Sequence, residues 1–190
     1  MARQSDRVRQ LIDELSSGDS SVVDDLFPLL YEELHQLAQR HMEKERSGHT
    51  LQATALVHEA WLSLMAGNSQ TTKYQTREHF MAQASVAMRH ILINRAKAKN
   101  ADKRGGGWNQ IQLDEVVEEF EGRSIDLLAL NDALERLRVL DDRQARLVEM
   151  RFFGGMTMEQ CAAVLEISER AAYQEWAHAR AWLRLQLQEL

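Results

Sequence analysis

The chain is short of the residues that staple or interrupt a fold. Its 190 residues include one cysteine, Cys161, and one proline, Pro28. A single cysteine excludes an intramolecular disulfide, which suits a reducing compartment. With so little proline, and with abundant Ala, Leu, Glu, Gln and Arg, helix is favoured throughout. No apolar run approaches the roughly 20 residues that cross a bilayer. The opening MARQSDRVRQ also lacks the apolar core of a signal peptide. These absences predict a cytoplasmic chain with no membrane partner.

Converging catalytic groups are missing too. The seven histidines stand at 35, 41, 49, 58, 79, 90 and 178, and His58-Glu59 is not followed by a second histidine at metalloprotease spacing. Gly105–Gly107 lacks the Lys-Ser/Thr sequel of a phosphate-cradling loop. The sequence therefore predicts no enzyme, no cofactor and no metal site.

A basic surplus is absent, since the net charge is −6. Nucleic-acid binders usually carry the opposite balance. Charge is segregated, however. Arg89 to Arg104 holds six Lys or Arg and one Asp, whereas Asp114 to Glu121 holds five acids and no base. A basic block followed by an acidic one suggests a working surface and then a linker.

What is present is helical periodicity. Val8, Leu11, Ile12 and Leu15 share one face, and Leu26, Leu30, Leu34 and Leu37 form the next stripe. Pro28 reads as a fresh helix start near Leu26. Ala53, Val57, Ala60 and Leu64 mark a third helix with Trp61 beside them. Phe80, Ala84, Ala87 and Ile91 mark a fourth, with Arg89 on the opposite side of the wheel. Residues 100–124 have no sustained period and read as a linker. Leu127, Leu130, Leu134 and Leu137 then begin a second helical unit, in which Asp141 caps a helix that ends at Gly154-Gly155. No repeat and no period-2 strand pattern appears. The expected fold is all-α: two small helical domains, residues 1–100 and 126–190, joined by a flexible linker at 101–125.

The C-terminal stretch is the most informative. Thr157 and Gln160 have capping-box spacing, a short helix follows, and Ser168 can cap a longer one. On the longer helix Ala172, Trp176, Ala179, Leu183 and Leu187 share one side, with Arg170, Ala171, Gln174 and His178 on the other. A short helix, a tight turn and a long helix fit a helix-turn-helix, whose second helix reads the major groove. From spacing alone, an ordinary hairpin in a helical bundle fits equally well.

Four strings, LQATALVHEAWLSL at Leu51–Leu64, EHFMAQASVAMRHILIN at Glu78–Asn94, LDDRQARLVEMRFFGG at Leu140–Gly155 and TMEQCAAVLEIS at Thr157–Ser168, stand in register along the chain. In this order they resemble extracytoplasmic-function (ECF) sigma factors of bacterial RNA polymerase, in particular the subgroup with HTLQATALVHEA. The resemblance implies a sigma factor without catalytic activity, whose partners are core RNA polymerase and promoter DNA. The first domain would be the region-two domain. It would bind polymerase through Leu51, Gln52, Leu56, Val57, His58, Glu59, Trp61 and Leu62, and open the minus-ten element. DNA contacts there would come from Tyr74, Arg77, His79, Arg89, Arg95, Lys97, Lys99, Lys103 and Arg104, with Tyr74 the better candidate to stack on an unpaired base and Phe80 in the core. The second domain would be the region-four domain, reading the minus-thirty-five element through Arg170, Ala171, Tyr173, Gln174 and His178.

The chain departs from its relatives in two places. Many carry acids before the polymerase-binding helix, where this chain has Gln52-Ala53-Thr54-Ala55. Phosphorylation of Thr54 by a Ser/Thr kinase would restore negative charge there. The reading helix holds one strong cation, Arg170, and its preceding turn has Glu166 where relatives often have glycine. Besides a kinase, an inhibitory protein is an expected type of partner. The rival readings are a helix-turn-helix regulator that works without polymerase and a polymerase-binding adaptor that no longer reads promoters.

Overall fold

The computed structural model describes residues 2–43, 52–67, 74–102, 110–112 and 124–188. The fold is all-α apart from one small strand pair. Helix α1 spans Ala2–Ser16, and a 3₁₀ turn at Ser20–Val22 leads into α2, Val23–Glu43. Helices α3, Ala53–Gly67, and α4, Arg77–Asp102, complete the N-terminal half. Strands β1, Gln110–Gln112, and β2, Ser124–Asp126, pair antiparallel within the stretch expected to be an irregular linker. The C-terminal half is α5, Leu127–Leu140, α6, Asp142–Val148, a π-helical turn at Glu149–Phe153, α7, Met158–Leu165, and α8, Glu169–Gln188.

Local chemistry explains most boundaries. Asp19 accepts from the Ser21 amide and caps the 3₁₀ turn, so α2 is already under way at Val23. Pro28 therefore lies inside α2, not at a fresh start, and removes one backbone donor from its early turns. Asp141 caps α6 by accepting from the Gln144 amide at 3.1 Å. The helix then widens: Gly154 N donates to Glu149 O, five residues back. The wider turn lets consecutive Phe152 and Phe153 both be buried.

The stripes read from sequence on α1, α2 and α8 face inward, with Val8, Leu11, Ile12, Leu26, Leu30, Leu34, Ala172, Ala179 and Leu183 all buried. The two halves are not separate cores, because buried apolar side chains from both form one cluster. Helix α4 joins them. Phe80, Ala84, Met88 and Leu92 form one buried stripe, and Ala82, Ser85, Arg89, Ile93 and Ala96 form a second. Arg89, expected on an outward face, is 1% exposed. The sequence hid this second stripe because Ser85 and Arg89, both polar, interrupt it between Ala82 and Ile93.

The turn between α7 and α8 holds a strained position. Glu166 has φ 55°, ψ 40°, and is the one non-glycine residue with positive φ among those described. A side chain there costs about 1–2 kcal/mol relative to the right-handed region. Glu166→Gly is expected to stabilise the chain by about 1 kcal/mol, since glycine's own chain entropy offsets part of that gain. The melting temperature should rise by roughly 2–4 °C in a thermal scan.

Candidate functional site

The α7–α8 pair is assembled from local signals. Thr157 Oγ1 accepts from the Gln160 amide at 3.1 Å, and Gln160 Oε1 accepts from the Thr157 amide at 2.8 Å. This reciprocal box starts α7. Glu166 then reverses the chain, and Ser168 Oγ starts α8 by accepting from the Ala171 amide at 3.2 Å. The inward side of α8 is locked by Ala172, Trp176, Ala179 and Leu183, and Arg143 ties α6 to it by pairing with Glu175 at 3.0 Å. Arg170, Gln174 and His178 are left exposed, Tyr173 is 58% exposed and Ala171 is partly covered. The five residues assigned to DNA reading thus share one open face. Such a face can enter a groove because its other side is fixed.

The polymerase-binding set divides on α3. Leu51 lies outside the described residues. Gln52 and His58 are exposed, Leu62 is 66% exposed, and the half-exposed Glu59 pairs with Arg95. Leu56, Val57 and Trp61 are buried, contrary to the expectation that all eight would form a contact surface. Their apolar side chains hold α3 against its neighbours. Thr54 is exposed in the first turn of α3, which contains no acid.

Sequence reasoning missed the aromatic side chains next to this helix. Phe27 and Tyr31 of α2 meet edge to face at 5.6 Å, and Tyr31 stacks on His35 at 5.8 Å. Phe27 also packs against His58 at 5.4 Å and Trp61 at 4.7 Å. All three α2 rings are only partly buried. The signal was available in their i, i+4, i+8 spacing, just beside the leucine stripe.

The N-terminal DNA set is dispersed. Tyr74, expected in an open loop, is 2% exposed. Its backbone is bonded both ways to Ser16 Oγ, its ring meets Phe80 at 4.9 Å, and burial pushes its phenol up to about 12. The ring is thus held as core and is not presented for stacking. Arg89 is likewise withdrawn from the surface and pairs with Glu149. Arg77 is partly exposed and pairs with Glu33. Arg95 and Lys97 are exposed. Lys99 lies in α4 with its side chain outside those described, and Lys103 and Arg104 lie outside the described residues.

Two half-exposed histidines sit where the halves meet. Burial lowers the His79 pKa, and nearby Arg146 lowers it further. Burial also lowers that of His90, with Arg89 adding to the effect and Glu135 opposing it. A folded pKa below the unfolded value favours the neutral ring. The associated stability is therefore full above the ordinary value of 6.5 and is lost as pH falls below it. Urea midpoints should fall between about pH 7.5 and pH 5.5. His79→Gln should flatten that fall, and an unchanged slope would contradict this account.

Among the described residues no helix is long and apolar enough to cross a membrane, and no group of His, Cys, Asp or Glu could hold a metal ion. A comparison with curated proteins finds no match. A family model described as ECF sigma factor matches residues 5–189, nearly the whole chain. That family consists of non-enzymatic transcription factors that bind RNA polymerase and promoter DNA. The chain belongs to the ECF sigma factor family.

Proposed function

We propose that this chain directs promoter-specific initiation by a division of labour between its halves. Residues 1–100 act as the region-two domain that holds core polymerase and opens the minus-ten element. Residues 126–190 act as the region-four domain that reads the minus-thirty-five element in duplex form, and residues 101–125 connect them within the polymerase, in the cytoplasm where that enzyme works. The carrying observation is the outward face of α8. It presents Arg170, Ala171, Tyr173, Gln174 and His178 while its other side is fixed in the core. Arginine suits guanine, glutamine suits adenine, and alanine can touch a thymine methyl.

Polymerase contact is assigned to the exposed side of α3, with Gln52, His58, Glu59 and Leu62, extended by Phe27, Tyr31 and His35 of α2. Partly exposed aromatic side chains beside an apolar anchor are the composition that protein interfaces concentrate. Arg95 and Lys97 supply cations for phosphate near the melted strand, so DNA binding should weaken steeply with salt.

Thr54 is assigned a regulatory role. A phosphate there would place about −1.5 to −2 charges at the start of α3, where the helix dipole favours them and relatives hold carboxylates. A Ser/Thr kinase is the partner this implies.

The central test is reconstitution with core polymerase on a library of promoter fragments, with transcript starts mapped. Specific starts support the sigma reading, polymerase binding without starts supports an adaptor, and duplex binding alone supports a polymerase-independent regulator. Arg170→Ala should weaken selection of the preferred upstream base by about 1–3 kcal/mol, measured as the ratio of starts between matched and mismatched fragments. An unchanged ratio would remove Arg170 from the reading face. Thr54→Glu should bind core polymerase more tightly than Thr54→Ala in a titration, and equal affinities would dispose of the phosphorylation assignment.

A further inference from the structure

The outward side of α8 begins with an acid. Glu169 is the first residue of the helix and is exposed, as are Arg170 beside it and Tyr173 and Ala177 one and two turns further on. That side therefore has two columns, with Glu169, Tyr173 and Ala177 in one and Arg170, Gln174 and His178 in the other.

Nothing in the fold occupies the Glu169 carboxylate. Ser168 Oγ already takes the Ala171 amide at 3.2 Å and caps the helix. Among the described residues the Glu169 side chain has no ion-pair or hydrogen-bond partner. The helix dipole favours an acid at this end but asks nothing of its direction. Glu175, the other described acid of α8, is instead partly covered and paired with Arg143 at 3.0 Å.

Brought against a duplex, an unpaired carboxylate meets phosphates of its own sign. It lowers affinity for every sequence unless a base offers it a donor. An ionised carboxylate only accepts, and in the major groove the N4 amino group of cytosine is the donor that suits it. Guanine O6 and N7 and thymine O4 are acceptors and repel it. Adenine places an acceptor, N7, beside its amino group, which fits the amide of glutamine and not a carboxylate. The first residues of a reading helix are the ones that meet base edges, so an acid there selects by rejection as well as by contact. Successive helix residues rise about 1.5 Å and turn about 100°, so two long side chains reach neighbouring bases, about 3.4 Å apart along a strand.

We propose that Glu169 is a specificity-determining residue of the upstream element: it accepts from the N4 amino group of a cytosine beside the guanine that Arg170 reads, and it rejects the other three bases there. The inference rests on the region-four reading of residues 126–190 and adds one base to it.

The test uses the full chain reconstituted with core polymerase and a duplex library randomised across the upstream element, with selected sequences counted and single fragments titrated. The parent should prefer cytosine over each other base at one position by about tenfold. Glu169→Ala should bring that ratio within about twofold and leave the guanine preference tied to Arg170 in place. Glu169→Gln should turn the preferred base at that position to adenine. On fragments without the cytosine both variants should bind about threefold more tightly than the parent, because the like-charge repulsion is gone. Glu169→Gln keeps the length of the side chain, so it decides the case if Glu169→Ala loses helical circular dichroism.

An unchanged base preference in both variants, or a parent with no cytosine position, would overturn the assignment. So would a uniform loss of affinity across all fragments, the signature of a residue that serves α8 alone. A parent that binds polymerase but shows no preference anywhere in the upstream element removes the region-four reading itself. A parental preference that the Glu169 variants leave untouched keeps that reading and sinks this inference alone.

Discussion

The arrangement depends on α4 being buried along two faces at once. Phe80, Ala84, Met88 and Leu92 lie on one, while Ala82, Ser85, Arg89, Ile93 and Ala96 lie on the other. A helix covered on both sides needs small residues where a neighbour approaches closely, and the second stripe supplies two alanines and a serine. It also carries a permanent positive charge, which the interior tolerates because Glu149 and Asn131 are positioned to receive it. Glu149 is in turn shared with Arg138, so one buried carboxylate coordinates cations from both halves.

The halves differ in how they are built. In the C-terminal half, polar side chains next to the helix ends do much of the specifying: Asp141 opens α6, the Thr157–Gln160 box opens α7 and Ser168 opens α8. Each satisfies backbone amides that a helix start leaves unpaired. The outward face of α8 is then freed from structural duty and available for recognition. In the N-terminal half, α2 and α3 meet through rings, and the same rings reach the surface next to Leu62. Packing and exposed surface there share side chains, so a substitution at Phe27 or Tyr31 would disturb both.

The distribution of cations follows from this division. Arg95 and Lys97 remain at the surface of α4, Arg170 remains at the surface of α8, and Arg89 is drawn inside. A chain with net charge −6 can still meet DNA through such local faces, because screened fields act over about a Debye length and not over the whole molecule.

The sequence by itself determined what depends on neighbours along the chain. The inward stripes of α1, α2 and α8, the three polar caps and the open side of the last helix were legible because periodicity and capping act within one or two turns. The strand pair between the halves was not legible, since each strand is three residues long and offers no period to read. Tyr74 looked like a loop ring and Arg89 like a surface cation; their burial depends on Ser16 and Phe80 in one case and on Asn131 and Glu149 in the other. Those partners lie 42 to 60 positions away, Phe80 apart. Which face of α4 is covered, and which of its cations is withdrawn, is decided only when distant helices pack. Desolvation and pairing are properties of the assembled interior, and no local pattern records them.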